Sequence, residues 1–154
     1  MNSPVVVSRF AFLLVMLAAS SLLAQGVLTA NWKTDADRAW QSARREQRPM
    51  LLFITSQNCL YCRKMEHETF ANRTVAAAIQ AGFVPVSVLA EQNPDLVGKF
   101  RVRSYPTTVI VSPRTGVIDY MVGYVGPVDF QRRLDVATRQ NAAPVTATRP
   151  WANH

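Results

Sequence analysis

The run Met50-Leu51-Leu52-Phe53-Ile54-Thr55, a polar break at Ser56-Gln57-Asn58, and then Cys59-Leu60-Tyr61-Cys62 decide the fold. Six residues with no polar alternation predict a strand buried on both faces, as in a parallel or mixed central sheet. The two cysteines then open a helix that we expect to run to about Glu68. The pattern therefore places two cysteines, which are reactive residues, between a buried strand and the first turn of a helix.

The sequence around this run predicts helices and strands in the order α-β-α-β-α-β-β-α. Thr34 is the expected cap of the first helix, and Asn72 of a later helix that closes at Gly82. Pro85 lies inside a strand and predicts that this strand is at an edge of the sheet. The predicted helices cover about 35–48, 59–68, 72–82, 94–100 and 127–140, and the strands 50–55, 83–89, 107–111 and 117–122.

Length and composition indicate one globular domain. The chain has 154 residues, 17 Lys and Arg, 10 Asp and Glu, and two cysteines. Two cysteines exclude both a multi-bridge disulfide scaffold and a four-cysteine zinc site. The positive charges are dispersed along the chain, so we interpret them as solvated helix faces and expect no nucleic-acid partner.

The N-terminal residues have the features of a secretory signal peptide. Arg9 precedes an apolar run from Phe10 to Ala19, and Ala24 suits the last removed position. We therefore expect a signal peptide at 1–24, a domain at 25–140 and a flexible tail at 141–154. Cleavage near Ala24 would leave a periplasmic or secreted protein, and a retained membrane anchor is the alternative.

The spacing of Cys59 and Cys62 predicts thiol–disulfide exchange. A thiolate at the first turn of a helix faces unpaired backbone N–H groups and the positive end of the helix dipole, which lower its pKa. Residues three apart share a helix face, so the second sulfur can reach the first. Cys59 is the expected nucleophile, and Cys62 is expected to resolve the mixed disulfide.

Three other interpretations of the pair stay open at this stage. A structural disulfide would close only a very small loop and add little stability. A metal site, for copper in particular, could use the cysteines with Met65 and His67, but those two residues fall on different faces of a continuous helix. We expect Met65 in the core, His67 on the surface and no metal. The third interpretation is an inactive remnant of a redox protein.

The sequence resembles the thioredoxin superfamily over about residues 30–140. The resemblance rests on the strand at Met50–Thr55, the Cys59-Leu60-Tyr61-Cys62 motif and Tyr105-Pro106-Thr107 before a strand. The pattern Ser56-x-x-Cys59-x-x-Cys62-x-x-Met65 is closer to an exported thioredoxin-like branch. The resemblance implies a thioredoxin-like α/β fold with a central mixed sheet of four to five strands flanked by helices. It also implies that Pro106 is cis and faces the cysteines, and that Tyr105 offers backbone hydrogen bonds to a substrate strand.

Two departures from thioredoxin affect the expected chemistry. Thioredoxin has Gly-Pro between its cysteines, and this chain has Leu60-Tyr61, so the direction of electron flow does not carry over. Thioredoxin also keeps a buried Asp six residues before its first cysteine, where this chain has Phe53. Glu66 and Glu68 are the nearby acids, and we interpret both as solvated helix residues.

The function expected from the sequence is an exported thiol-disulfide oxidoreductase that works as a monomer without a cofactor. Its partners would be protein thiols or disulfides and a redox protein of the membrane or envelope, because no dinucleotide fingerprint is present. Reductase or disulfide-repair activity is favoured over oxidase activity. A metal (copper) or protein binding module on the same fold is the alternative from a different functional class.

Overall fold

A computed structural model describes residues 30–143. The expected signal peptide at 1–24 and most of the expected tail lie outside these residues. The helices and strands follow in the order α1 Ala36–Glu46, β1 Met50–Thr55, α2 Leu60–Lys64, a π-helical turn Met65–Phe70, α3 Arg73–Gly82, β2 Val84–Leu89, a 3₁₀ turn Ala90–Gln92, α4 Pro94–Lys99, β3 Thr107–Ser112, β4 Gly116–Val122 and α5 Pro127–Ala142.

The strands form one mixed sheet of four in the order β2-β1-β3-β4. β1 pairs with β2 in parallel and with β3 antiparallel, and β3 and β4 form the predicted hairpin. β2 is an edge strand, which confirms the interpretation of Pro85. Within the described residues, Lys33 covers part of that edge through a short parallel bridge to Val86.

β1 is buried on both faces, as its apolar run predicts. Leu51 and Phe53 point into a core cluster shared with α3, α5 and Cys62. Leu52 and Ile54 point into a second cluster on the opposite face, with α1 and α4 against it. The strand that leads to Cys59 is therefore held from both sides by packing, which restricts its movement.

Phe53 belongs to a group of four aromatic rings in the first cluster. The ring centroids lie 6.0 Å apart for Trp32 and Phe53, 4.9 Å for Phe53 and Phe70, and 4.6 Å for Trp32 and Phe70. Phe130 of α5 extends the group, with its ring 5.4 Å from that of Phe70. These separations are in the range of favourable aromatic pairs.

The structure corrects three local expectations. The cap of α1 is Asp35, whose carboxylate accepts the N–H of Arg38, and not Thr34. The helix that carries the cysteines changes to a π-helical turn at Met65, where the sequence predicts that the α-helix continues. α5 reaches Ala142, so Asn141 belongs to this helix and not to the tail. The Asn141 carboxamide accepts a hydrogen bond from the Ser112 hydroxyl at 2.7 Å.

None of the described helices is both long and apolar enough to cross a membrane.

Replacing Phe53 with Ala is expected to lower the free energy of unfolding by about 3–5 kcal/mol, because the side chain is 1% exposed and leaves a cavity among aromatic rings. Urea unfolding followed by circular dichroism measures the change. Val117→Ala, at a side chain 55% exposed on β4, is the control and should shift stability by less than about 0.5 kcal/mol. Equal losses in the two variants would contradict the assignment of Phe53 to the centre of the core.

Candidate active site around the Cys59–Cys62 disulfide

Cys59 lies at the N-cap of α2, directly after the loop that follows β1. Asn58 has a left-handed backbone (φ 56°), which turns the chain from the strand into the helix. The side-chain carboxylate of Glu91 accepts the backbone N–H of Gln57 at 3.0 Å and holds this loop against the end of β2. Packing of β1 and this turn together position the first cysteine at a helix N-terminus.

The two cysteines form a disulfide with an Sγ–Sγ distance of 2.07 Å. The Sγ of Cys59 also accepts the backbone N–H of Cys62 at 3.1 Å, so it occupies the place of a helix-capping oxygen. Cys59 is half-buried and Cys62 is 2% exposed. A partner can approach the first sulfur, and the second lies behind it in the core. This arrangement fits the predicted division between nucleophile and resolving cysteine.

Two exposed apolar side chains follow Cys59 directly in the chain. Leu60 is 67% exposed and Tyr61 is 58% exposed, although both are large and apolar. Arg63 and Lys64 follow on the next turn and are also exposed. Exposed apolar groups beside a reactive atom are typical of a surface that another molecule covers.

The Tyr105–Pro106 peptide bond is cis, as the resemblance to thioredoxins implies. Pro106 is buried, and its carbonyl accepts the backbone N–H of Gly123 at 2.8 Å. Tyr105 is half-buried and packs at the edge of the core cluster that contains Cys62, as Cys59 does. The role of Tyr105 and Pro106 in binding substrate stays a prediction.

A polar contact that the sequence analysis missed joins the cysteine helix to the loop before α5. The Tyr124 hydroxyl donates to Glu68 at 2.7 Å, and the ammonium group of Lys64 lies 4.6 Å from the centre of the Tyr124 ring. Next to it, the Thr69 hydroxyl donates to the carbonyl of Val125 at 2.7 Å. The partners are 56 residues apart along the chain, so no local sequence signal reveals them.

The side chains named for the metal alternative do not converge. Met65 is fully buried in the core and His67 is exposed, as the helix pattern predicted. Within residues 30–143, no group of three or more His, Cys, Asp or Glu side chains is placed to hold a metal ion.

Comparison with known proteins gives a family for this fold and site. A family model described as thioredoxin-like matches residues 31–113, which is more than half of the chain. The chain belongs to the thioredoxin-like family. A thioredoxin-like protein with a disulfide-forming Cys-x-x-Cys pair at the end of its buried strand has the features that support thiol-disulfide oxidoreductase activity.

Solved thioredoxin-fold structures superpose on most of the thioredoxin-like chain. A thioredoxin from Thermus thermophilus has a TM-score of 0.64 at 23% identity and covers 75% of this chain and 88% of its own. A structure named DsbH oxidoreductase has a TM-score of 0.66 at 16% identity and covers 79% and 92%. The oxidised C-terminal domain of DsbD from Neisseria meningitidis has a TM-score of 0.56 at 15% identity and covers 68% and 97%. At sequence identities this low, the structural similarity shows a shared fold alone.

Curated relatives match a smaller part of the chain. Spermatogenesis-associated protein 20 from Homo sapiens is 31% identical over 75 residues, which are 49% of this chain and 10% of the human protein. An uncharacterised protein from Caenorhabditis elegans is 30% identical over 66 residues, 43% of this chain and 9% of that protein. The thioredoxin-like chain thus spans about a tenth of the length of these relatives.

The contact between Tyr124 and Glu68 predicts a pH-dependent contribution to stability. The hydrogen bond to the Glu68 carboxylate raises the pKa of Tyr124 above its ordinary value of 10.0. A pKa raised in the folded state means that the bond stabilises the protein below about pH 10 and that this contribution is lost as the pH rises through the folded value. Tyr124→Phe should therefore be less stable than the wild type at pH 8, and the difference should disappear at more alkaline pH.

Urea unfolding of both proteins at a series of pH values checks this expectation. Tyr120→Phe is the matched control, because Tyr120 is exposed on β4 and its hydroxyl makes no hydrogen bond within the described residues. A stability difference for Tyr124→Phe that stays constant across the alkaline range would argue against the bond to Glu68.

Proposed function

We propose that this thioredoxin-like protein reduces or repairs disulfides of other proteins outside the cytoplasm. The observation that carries the proposal is the position of the Cys59–Cys62 disulfide, with one sulfur accessible at a helix N-terminus and the other buried behind it. The secretory features of residues 1–24 support the compartment. The name DsbH oxidoreductase and the DsbD domain, both of the same fold, are consistent with this chemistry.

The proposed reaction begins with the reduced protein. The Cys59 thiolate, held by the N–H groups of the first turn, attacks one sulfur of a substrate disulfide, and the other substrate sulfur leaves as a thiolate. Cys62 then attacks the Sγ of Cys59, which releases the second substrate sulfur and forms the Cys59–Cys62 disulfide. The substrate gains two electrons and the protein loses two. A redox protein of the membrane or envelope would restore the dithiol.

Substrate contact would use the surface on each side of Cys59. We propose that the backbone of Tyr105, before the cis bond to Pro106, binds an extended strand of the substrate. Leu60 and Tyr61 would then cover apolar side chains next to the substrate cysteine. Burial of one such side chain contributes about 1.5–3 kcal/mol, which is enough to favour disulfides that lie in apolar segments over those in polar ones.

The division of labour between the cysteines predicts different behaviour for two single variants. Cys62→Ser should accumulate a mixed disulfide between Cys59 and a substrate protein, because no second thiol can release it. Cys59→Ser should accumulate little, because its remaining thiol is buried. Incubation of each variant with oxidised insulin, alkylation and non-reducing electrophoresis measures the adduct. Equal adducts in the two variants would contradict the assignment of Cys59 as the nucleophile.

Tyr61→Ser should slow the reduction of a peptide disulfide flanked by Leu about tenfold, the equivalent of about 1.4 kcal/mol of lost contact. The rate with bis(2-hydroxyethyl) disulfide, a small disulfide without apolar side chains, should change less than about twofold. Val117→Ser is the control, since Val117 is similarly exposed but pairs near Val111, at the sheet end away from Cys59. An equal loss of rate with both substrates would show that Tyr61 affects the reactivity of the Cys59–Cys62 pair and not the contact with the substrate.

A further inference from the structure

The loop at 123–126, between β4 and α5, connects the two sides of the candidate site. Its first residue contacts the side of Tyr105 and Pro106, because the N–H of Gly123 donates to the Pro106 carbonyl at 2.8 Å. Gly123 has a left-handed backbone (φ 82°), which glycine adopts without strain and which turns the chain out of β4. The loop is therefore held against the turn whose backbone would bind the substrate strand.

The same loop is also fixed to the helix that carries the cysteines. The Thr69 hydroxyl donates to the Val125 carbonyl at 2.7 Å, and Thr69 is fully buried. Residues 30–143 make no other hydrogen bond to this carbonyl. A buried hydrogen bond of this kind is costly to break, because the group left behind loses its partner without gaining water. Thr69 is thus a firm attachment of the loop.

Continuous helix joins Thr69 to the cysteines. α2 passes directly into the π-helical turn, and the N–H of Met65 donates to the carbonyl of Cys62. In the π-helical turn Met65 and Phe70, five residues apart, both point into the core, and Thr69 is buried with them. Short π-helical turns of this kind are frequent at functional sites. The position of Thr69 relative to Cys62 is therefore fixed by the helix and by the core.

A second contact between the same helix and the same loop lies at the surface. The Tyr124 hydroxyl donates to Glu68 at 2.7 Å, and both groups are reached by solvent. Water competes with an exposed hydrogen bond, so this contact contributes less than the buried one. Thr69 is therefore the main connection between the cysteine helix and the loop, and Tyr124 supports it from outside.

We propose that Thr69 is a positioning residue that sets the separation between Cys59 and the strand-binding backbone of Tyr105. The inference rests on the proposed function, because it concerns the surface that would bind the substrate strand. Thr69 acts through Val125 and the loop, and not on the cysteines themselves. The bound strand has to present its disulfide to the Cys59 sulfur, and a displacement of about 1 Å can slow a reaction about a hundredfold.

Thr69→Val tests this role, because it keeps the shape of the side chain and removes the hydroxyl donor. Reduced protein is mixed with a disulfide, quenched with acid and analysed by mass spectrometry. The second-order rate constant with a peptide disulfide should fall about tenfold, within the range expected for a misplaced substrate. The rate constant with bis(2-hydroxyethyl) disulfide, which has no peptide backbone to bind, should change less than about twofold. Thr69→Ser keeps the hydroxyl and should restore most of the peptide rate.

Thr138→Val is the matched control. The Thr138 hydroxyl donates to the carbonyl of Leu134 at 2.9 Å, so this variant also loses a bond from a threonine hydroxyl to a backbone carbonyl. Thr138 packs beside Gly82, just before β2, and the start of β2 pairs with the start of β1. Cys59 follows the other end of β1. Both rate constants of Thr138→Val should therefore equal those of the wild type.

Hydrogen exchange of the Gly123 amide measures the effect of Thr69 on the loop without any substrate. This amide donates to Pro106, so it should be protected in the oxidised wild type and in Thr69→Ser. In Thr69→Val it should exchange about tenfold faster. NMR of the isotope-labelled protein follows the exchange, and the amides of β1 are the reference for any change in global stability.

Tyr124→Phe provides the test if Thr69→Val does not fold. It releases the same loop from its exposed side and keeps the aromatic ring. The peptide rate constant should then fall about threefold, and the rate constant with the small disulfide should stay unchanged. Tyr120→Phe, on the exposed side of β4, should match the wild type with both disulfides. A wild-type peptide rate in Tyr124→Phe would then contradict the proposal.

Four results with Thr69→Val would overturn the proposal. They are a wild-type rate with the peptide, an equal slowing with both disulfides, an equal slowing in Thr138→Val, and unchanged exchange of the Gly123 amide. Thr69→Ser that stays as slow as Thr69→Val would contradict it as well. Failure of the proposed function looks different, because the wild type would then reduce neither disulfide, while the amide exchange would still report on the loop.

Discussion

The hydrogen bond from the backbone N–H of Cys62 to the Sγ of Cys59 is the interaction on which the rest of the site depends. It exists because β1, buried on both faces, ends where α2 begins, so a cysteine takes the place of an N-cap oxygen. The same donor that contacts this sulfur in the disulfide is available to a thiolate after reduction. Packing around Phe53 thus has a chemical consequence, since it keeps the accessible sulfur at the positive end of a helix.

The regular elements follow from local residues. β1 matches its apolar run residue for residue, Asn72 caps α3 as its side-chain chemistry predicts, and Pro85 lies in an edge strand. The exceptions depend on distant contacts. Asp35 and not Thr34 caps α1, and two adjacent polar residues give no local basis for choosing between them. The π-helical turn brings both Met65 and Phe70 inward, and it is stabilised by aromatic partners that lie far away in sequence.

The residues of the candidate site also differ in whether the sequence alone predicts them. Cys59, Cys62 and Pro106 are recognisable from spacing and resemblance, because their chemistry is local to a motif. The contacts of Tyr124 with Glu68 and of Thr69 with Val125 could not be predicted, since each joins residues 56 positions apart.

The reduction potential of the Cys59–Cys62 pair tests the central claim most directly. The purified protein would be equilibrated in dithiothreitol or glutathione buffers of graded potential, and its free thiols trapped and counted. The account predicts a value near that of thioredoxin, about −270 mV, which suits a protein that reduces or repairs disulfides. A value near about −120 mV, typical of a strong oxidant, would contradict it. Thiols that resist every practical reductant would contradict thiol–disulfide exchange altogether.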